Sequence, residues 1–135
     1  MIDDDQDDRE IFQEAIAISY PGIEVVFARD GVDALEILDR NNTLPDVIFL
    51  DYNMPRMNGV QCLKELKGMD RTSSIPVIMY TTSGNRSHEE HILKLGADYY
   101  MRKTNSFHEL CSELKRLLST VESNAPLHDP GDIIN

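Results

Sequence analysis

Four short apolar runs, IEVVFA (residues 23 to 28), DVIFL (46 to 50), IPVIMY (75 to 80) and DYYM (98 to 101), alternate with longer segments of helical period. That alternation constrains the fold more than any other feature of the chain. The runs are continuously apolar and rich in β-branched and aromatic residues, which suits parallel strands covered on both faces. Between them, apolar residues recur at helical spacing. Ile11, Phe12, Ala15, Ile16 and Ser19 line one face, Val32, Leu35 and Leu38 a second, Val60, Leu63 and Leu66 a third, and His88, Ile92 and Leu95 a fourth. The longest stripe runs from Phe107 through Leu110, Cys111, Leu114, Leu117 and Leu118 to Val121. Pro21-Gly22, Asn41-Asn42, Gly68 and Gly96 mark the breaks. Helix and strand in regular alternation imply right-handed βαβ units, a parallel sheet and a three-layer, doubly wound α/β fold.

In such a fold, ligands sit beyond the carboxyl ends of the strands. Four pieces of sequence converge there: Asp3-Asp4-Asp5, Asp51 in FLDYNMPRMNG, Thr81-Thr82-Ser83, and Arg102-Lys103. Carboxylates gathered together repel one another, and a divalent cation with oxygen ligands is the ordinary remedy. Asp3, Asp4 and Asp51 therefore point to a Mg²⁺ site that keeps several waters, with a phosphoryl group as its natural guest. If the group passes to Asp51, that carboxylate is the nucleophile and an aspartyl phosphate forms. Mg²⁺ and Lys103 would neutralise the developing charge, and the Thr81 hydroxyl would bond a phosphoryl oxygen.

The ordered set of Asp3-Asp4, Asp51 within DYNMP, Thr81 and Lys103 resembles the receiver domain of two-component response regulators, from residue 1 to about 122. The resemblance implies a flavodoxin-like receiver fold with strand order 2-1-3-4-5. It implies Asp51 as phosphoacceptor, Asp4 and Asp51 as side-chain Mg²⁺ ligands, Asn53 as a ligand through its backbone carbonyl, and Asp3 acting through water. Thr81 and Tyr100 match the pair whose rearrangement, in that family, reports phosphorylation to the surface of the fourth helix, fifth strand and fifth helix. Asn53 and Ser83 stand where the family tunes the lifetime of the phosphoryl group.

Two positions depart from the family pattern. Thr104 follows Lys103 where receivers have a cis proline; a cis bond without proline costs about 2.5–4 kcal/mol, so a trans peptide is expected. The first strand, about five apolar residues in the family, is here only Met1-Ile2. A start trimmed of its strand is the expected reading, with Ile133-Ile134 or a strand from a second subunit as alternatives for filling the gap.

A chain of 135 residues suits one domain, with 123–135, which holds two prolines and no period, expected as a mobile tail. The net charge of -11 and sequence pI near 4.6 argue against nucleic acid and anionic membrane surfaces as partners. MIDDDQDD is not a signal peptide and no apolar run approaches the ~20 residues of a membrane span, so a cytoplasmic location is expected. Cys62 and Cys111 read as reduced packing residues. Asp5, Asp7, Asp8 and Glu10 read as favouring a helix N-terminus, and His88 and His91 as part of a solvated helical face.

The expected function is that of a stand-alone receiver. A sensor histidine kinase or histidine phosphotransfer protein supplies the phosphoryl group, Asp51 accepts it with Mg²⁺, and hydrolysis slowly removes it without turnover of any free substrate. Signalling then passes by binding to a downstream protein, and a homodimer through the last helices fits the same reading. A degenerate receiver that acts only as an interaction module is one alternative. A Mg²⁺-dependent phosphatase of the haloacid dehalogenase type is another, although such enzymes need a second aspartate where this chain has Asn53, and a cap domain for which it has no room.

Overall fold

In the computed structural model, residues 1–82 and 84–127 are described. Each helix starts where a short polar side chain accepts the otherwise unpaired backbone N–H three residues on. Asp5 caps α1 (Gln6–Ser19), Asp30 caps α2 (Gly31–Arg40), Asn85 caps α4 (Arg86–Lys94) and Ser106 caps α5 (Phe107–Glu122). Asn58 and Gln61 form a reciprocal capping box at the start of α3 (Gly59–Gly68). The strands are β1 (Ile48–Leu50), β2 (Val77–Thr81) and β3 (Tyr99–Arg102), and all three are parallel. Leu50 stands opposite Met79, and Met79 opposite Tyr100.

Ile2 extends this sheet on the other side of β1, forming parallel bridges to both Leu50 and Ala28. The lateral order is therefore Ala28, Ile2, β1, β2, β3, which is the expected 2-1-3-4-5 arrangement. The run at 23–28, expected as a strand, pairs only at its end. Ala28 N–H donates to Met1 O at 2.9 Å, Asp3 N–H donates to Ala28 O at 3.0 Å, and the Met1 amino group donates to Val26 O at 2.8 Å. Between residues 22–28 and 43–49 lies a cavity of about 910 Å³, and among the described residues the rest of this run forms no ladder. The alternative strand at Ile133-Ile134 falls outside the described residues, as does most of the expected tail; of residues 123–127, Leu127 packs against the core.

Alternate residues of each strand face opposite layers. Ile48, Leu50, Val77, Met79 and Tyr100 join α2, α3 and α4 in one core. Phe49, Ile78, Tyr80, Tyr99 and Met101 join α1 and α5 in the other. The α5 stripe is the best realised: Leu110, Leu114, Leu117 and Leu118 are all buried, each worth about 1.5–3 kcal/mol, while Phe107 at its start is exposed. Ile11, expected on the inner face of α1, is 45% exposed, because Phe12, Ala15 and Ile16 already fill the contact with α5. No helix among the described residues is long and apolar enough to cross a membrane.

Candidate functional site

Parallel strands in register bring their carboxyl ends side by side, and the residues just beyond them share one edge. Asp51 follows β1, Thr81 ends β2, Lys103 follows β3, and Asp3-Asp4 follow Ile2. The chain after Asp51 turns back tightly: Gly59 N–H donates to Tyr52 O at 2.8 Å, and a Cβ at Gly59 would collide with the Asp51 carbonyl oxygen and lie 2.7 Å from Tyr52 Cα. Arg56 sits in the left-handed region at φ 62° and is held there by a two-pronged bond to buried Asp30, at 2.8 and 2.9 Å. That ion pair fixes the loop carrying Asn53 to the start of α2.

Carboxylate oxygens of Asp3, Asp4 and Asp51 lie within 4.8 Å of one another. Burial, and then repulsion from Asp3, push the Asp51 carboxyl up to about 6, despite the opposing pull of Lys103 and of the Tyr52 N–H, which donates to Asp51 Oδ1 at 2.9 Å. Burial also raises Asp3, which is wholly inaccessible, against the pull of its bond to Lys103. Lys103 Nζ donates to Asp3 Oδ2 and Asp8 Oδ2, both at 2.7 Å, and stands 3.6 Å from Asp51 Oδ1. Burial disfavours its charge, but the bonds to Asp3 and Asp8 outweigh that and raise its pKa, so the ammonium stays ionised. The same ammonium lies 5.3 Å from the centre of the Tyr80 ring, a further contact favouring the cation. No cis peptide bond occurs among the described residues, so Lys103 makes this approach through the trans peptide that Thr104 leads one to expect.

Three carboxylates answered by one lysine leave a surplus of negative charge, and hard oxygen donors suit Mg²⁺. Both oxygens of Asp3 are already engaged, by the Asp5 N–H at 2.9 Å and by Lys103, which fits an indirect role. Asp4 is exposed and its carboxylate lies within 4.8 Å of that of Asp51, so these two could hold a cation directly.

Thr81 is 1% exposed and lies two residues beyond Met79, so it shares a sheet face with Tyr100, the partner of Met79. Ser83 falls outside the described residues. Sequence reasoning missed two participants. Asp8 lies in the first turn of α1, as expected, but its carboxylate also reaches Lys103, a contact that local spacing does not foreshadow. His88 is not on a solvated face. Its Nδ1 is 3.1 Å from the Tyr100 hydroxyl, and its ring packs edge-on against Tyr52 at 4.6 Å, while His91 is exposed.

Comparison with known proteins gives a consistent picture. A family model described as the response regulator receiver domain matches residues 1–115. The transcriptional regulatory protein CpxR of Klebsiella pneumoniae subsp. pneumoniae (strain HS11286) is 35% identical over 118 residues, covering 87% of this chain and 47% of that protein. The chain thus spans about half the length of the curated relatives it matches. The phosphorylated cyanobacterial phytochrome response regulator RcpA superposes with a TM-score of 0.82 at 32% identity, covering 95% of both chains. The Mn²⁺-bound response regulator Rcp1 gives a TM-score of 0.75 at 27% identity, covering 87% of this chain and 88% of that one.

Proposed function

The chain belongs to the response regulator receiver domain family, and we propose that Asp51 is its phosphoacceptor in two-component signalling. The observation that carries this reading is the placement of Asp51 within a cluster of three carboxylates with Lys103 Nζ only 3.6 Å away. An ionised Asp51 oxygen attacks the phosphorus of a phosphohistidine on a histidine kinase or phosphotransfer protein. The new O–P bond forms as the N–P bond breaks, and the released imidazole takes up a proton. Lys103 offsets the negative charge gathering on the transferred group, and the Thr81 hydroxyl donates to one of its oxygens.

Mg²⁺ held by Asp4, Asp51 and the Asn53 carbonyl, with Asp3 acting through water, would supply the remaining charge neutralisation and orient the phosphoryl oxygens. Its presence is supported by the surplus of carboxylates at the site. The phosphoryl group leaves when water attacks phosphorus and returns Asp51 as a carboxylate. In between, the added charge favours one of two packings involving Thr81 and Tyr100, and a downstream protein reads the difference by binding.

Intact mass after incubation with a small phosphodonor and Mg²⁺ tests this for the native chain and Asp51→Asn. A Mg²⁺-dependent gain of one phosphoryl group, absent in the variant, is expected. No gain in either chain would favour an interaction module independent of phosphorylation, and steady turnover of a generic phosphate ester would favour a phosphatase.

A further inference from the structure

α4 is held weakly by its core contacts. Among its described residues Ile92 is the buried one, and the helix is nine residues long. Polar and ring contacts at its N-terminus therefore decide where it sits. Arg102 of β3 donates to Gly84 O at 3.0 Å and lies 3.7 Å from Glu89, while His88 meets both Tyr100 and Tyr52.

We propose that His88 is a positioning residue that carries the state of Asp51 to α4 through the rings of Tyr52 and Tyr100. The inference rests on the reading of Asp51 as phosphoacceptor. Tyr52 is bonded to Asp51 directly, through the backbone N–H that donates to Oδ1 at 2.9 Å. Converting that carboxylate to an acyl phosphate weakens the oxygen as an acceptor and disturbs Tyr52. The Tyr52 ring stands nearly perpendicular to the imidazole, at 86°, so its displacement presses on His88. His88 in turn fixes the Tyr100 hydroxyl, on the sheet face that Thr81 shares. Tyr100 cannot change place while that bond holds α4, so the two must move together or part.

Gly84 supplies a second, independent sign that this contact is built into the loop. Its φ is +113°, and a Cβ there would strike both the His88 Nδ1 and the Tyr100 hydroxyl. The loop before α4 thus passes directly over the bonded pair, and a side chain at 84 would part it.

The test compares the native chain with His88→Phe, which keeps a ring against Tyr52 but loses the hydrogen bond, and His88→Gln, whose amide can restore it. Phosphoryl gain by intact mass and the NMR shift of the Ile92 methyl groups on loading with Mg²⁺ and beryllofluoride are read together. His88→Phe is expected to load within twofold of the native chain while its Ile92 response falls at least threefold, and His88→Gln should recover more than half of it. A native-sized response in His88→Phe, an equally silent His88→Gln, or a loss of loading in His88→Phe would each overturn the relay. If the native chain itself takes no phosphoryl group, the phosphoacceptor reading fails and the relay falls with it. The tie to Tyr100 is then judged alone: its ring Cζ resonance should shift in unloaded His88→Phe and return in His88→Gln, and an unmoved resonance would overturn that too.

Discussion

Lys103 donates to Asp3 at 2.7 Å, and Asp3 has no exposed surface at all. A buried carboxylate depends on its partner, and removing one member of such a pair typically costs about 3–5 kcal/mol. Lys103→Met is therefore expected to lower stability by roughly 3 kcal/mol, since the Asp5 N–H still serves Asp3. It should also slow phosphoryl acceptance by roughly 10²-fold, the scale of losing one preorganised charge at a reacting group. Urea unfolding and mass-monitored phosphorylation check the two effects separately. A variant as fast as the native chain would remove Lys103 from the mechanism.

The Asp51 carboxyl is pushed up to about 6 from an ordinary value of 3.8. A raised carboxyl stabilises the folded chain below its unfolded pKa, and that contribution disappears as pH rises through the folded value. Without divalent cation, the native chain should thus lose stability relative to Asp51→Asn between about pH 4 and 7, by up to about 3 kcal/mol. Chelated samples unfolded at several pH values check the sign. A constant gap between the two proteins would mean that the Asp51 carboxyl is not raised in the folded chain.

Asp4 is the exposed member of the acidic cluster. Asp4→Asn should leave cation-free stability within about 0.5 kcal/mol of the native value, as surface substitutions usually do. It should weaken Mg²⁺ binding by roughly tenfold, a loss of about 1.4 kcal/mol of binding free energy. Titration calorimetry gives the affinity directly, and an unchanged affinity would remove Asp4 from the ligand set.

Gly59 lies against the backbone of Asp51 and Tyr52. Backbone cannot yield as a flexible side chain can, so Gly59→Ala is expected to cost about 1–3 kcal/mol, the range for overpacking. Acceptance at Asp51 should slow with it, because the peptide that must move is the one carrying the acceptor. A fully stable variant would show that this turn adapts.

Arg56 holds a left-handed conformation whose cost, roughly 1–2 kcal/mol, its bond to Asp30 offsets. Arg56→Ala keeps the strain and loses the bond, so a loss of about 1–3 kcal/mol is expected from leaving buried Asp30 with fewer partners. Arg56→Gly, which is free of the strain, should lose less. Equal losses in the two would place the whole effect in the ion pair.

The strands β1, β2 and β3, the five helices and the gathering of Asp3, Asp4, Asp51, Thr81 and Lys103 at one edge were all legible from the sequence. Each rests on a local rule: side chains alternate along a strand and recur along a helix, and an apolar run that stops at a polar residue marks a strand end. The run at 23–28 satisfied the local rule and still formed no ladder, because pairing needs a neighbour and, among the described residues, the backbone of Met1, Ile2 and Asp3 meets it only near its end. The links of Lys103 to Asp3 and Asp8 span 100 and 95 residues, and no period encodes contacts at that range. His88 shows the same limit: helical spacing put it on the face with Ile92, but whether that face met water or two tyrosines depended on how α4 lies across the ends of β1 and β3. The sequence by itself determined which elements form and which chemistry sits at their ends; stacking the layers decided which of those groups touch, because distances between elements are set by packing, on which the chain's periodicity is silent.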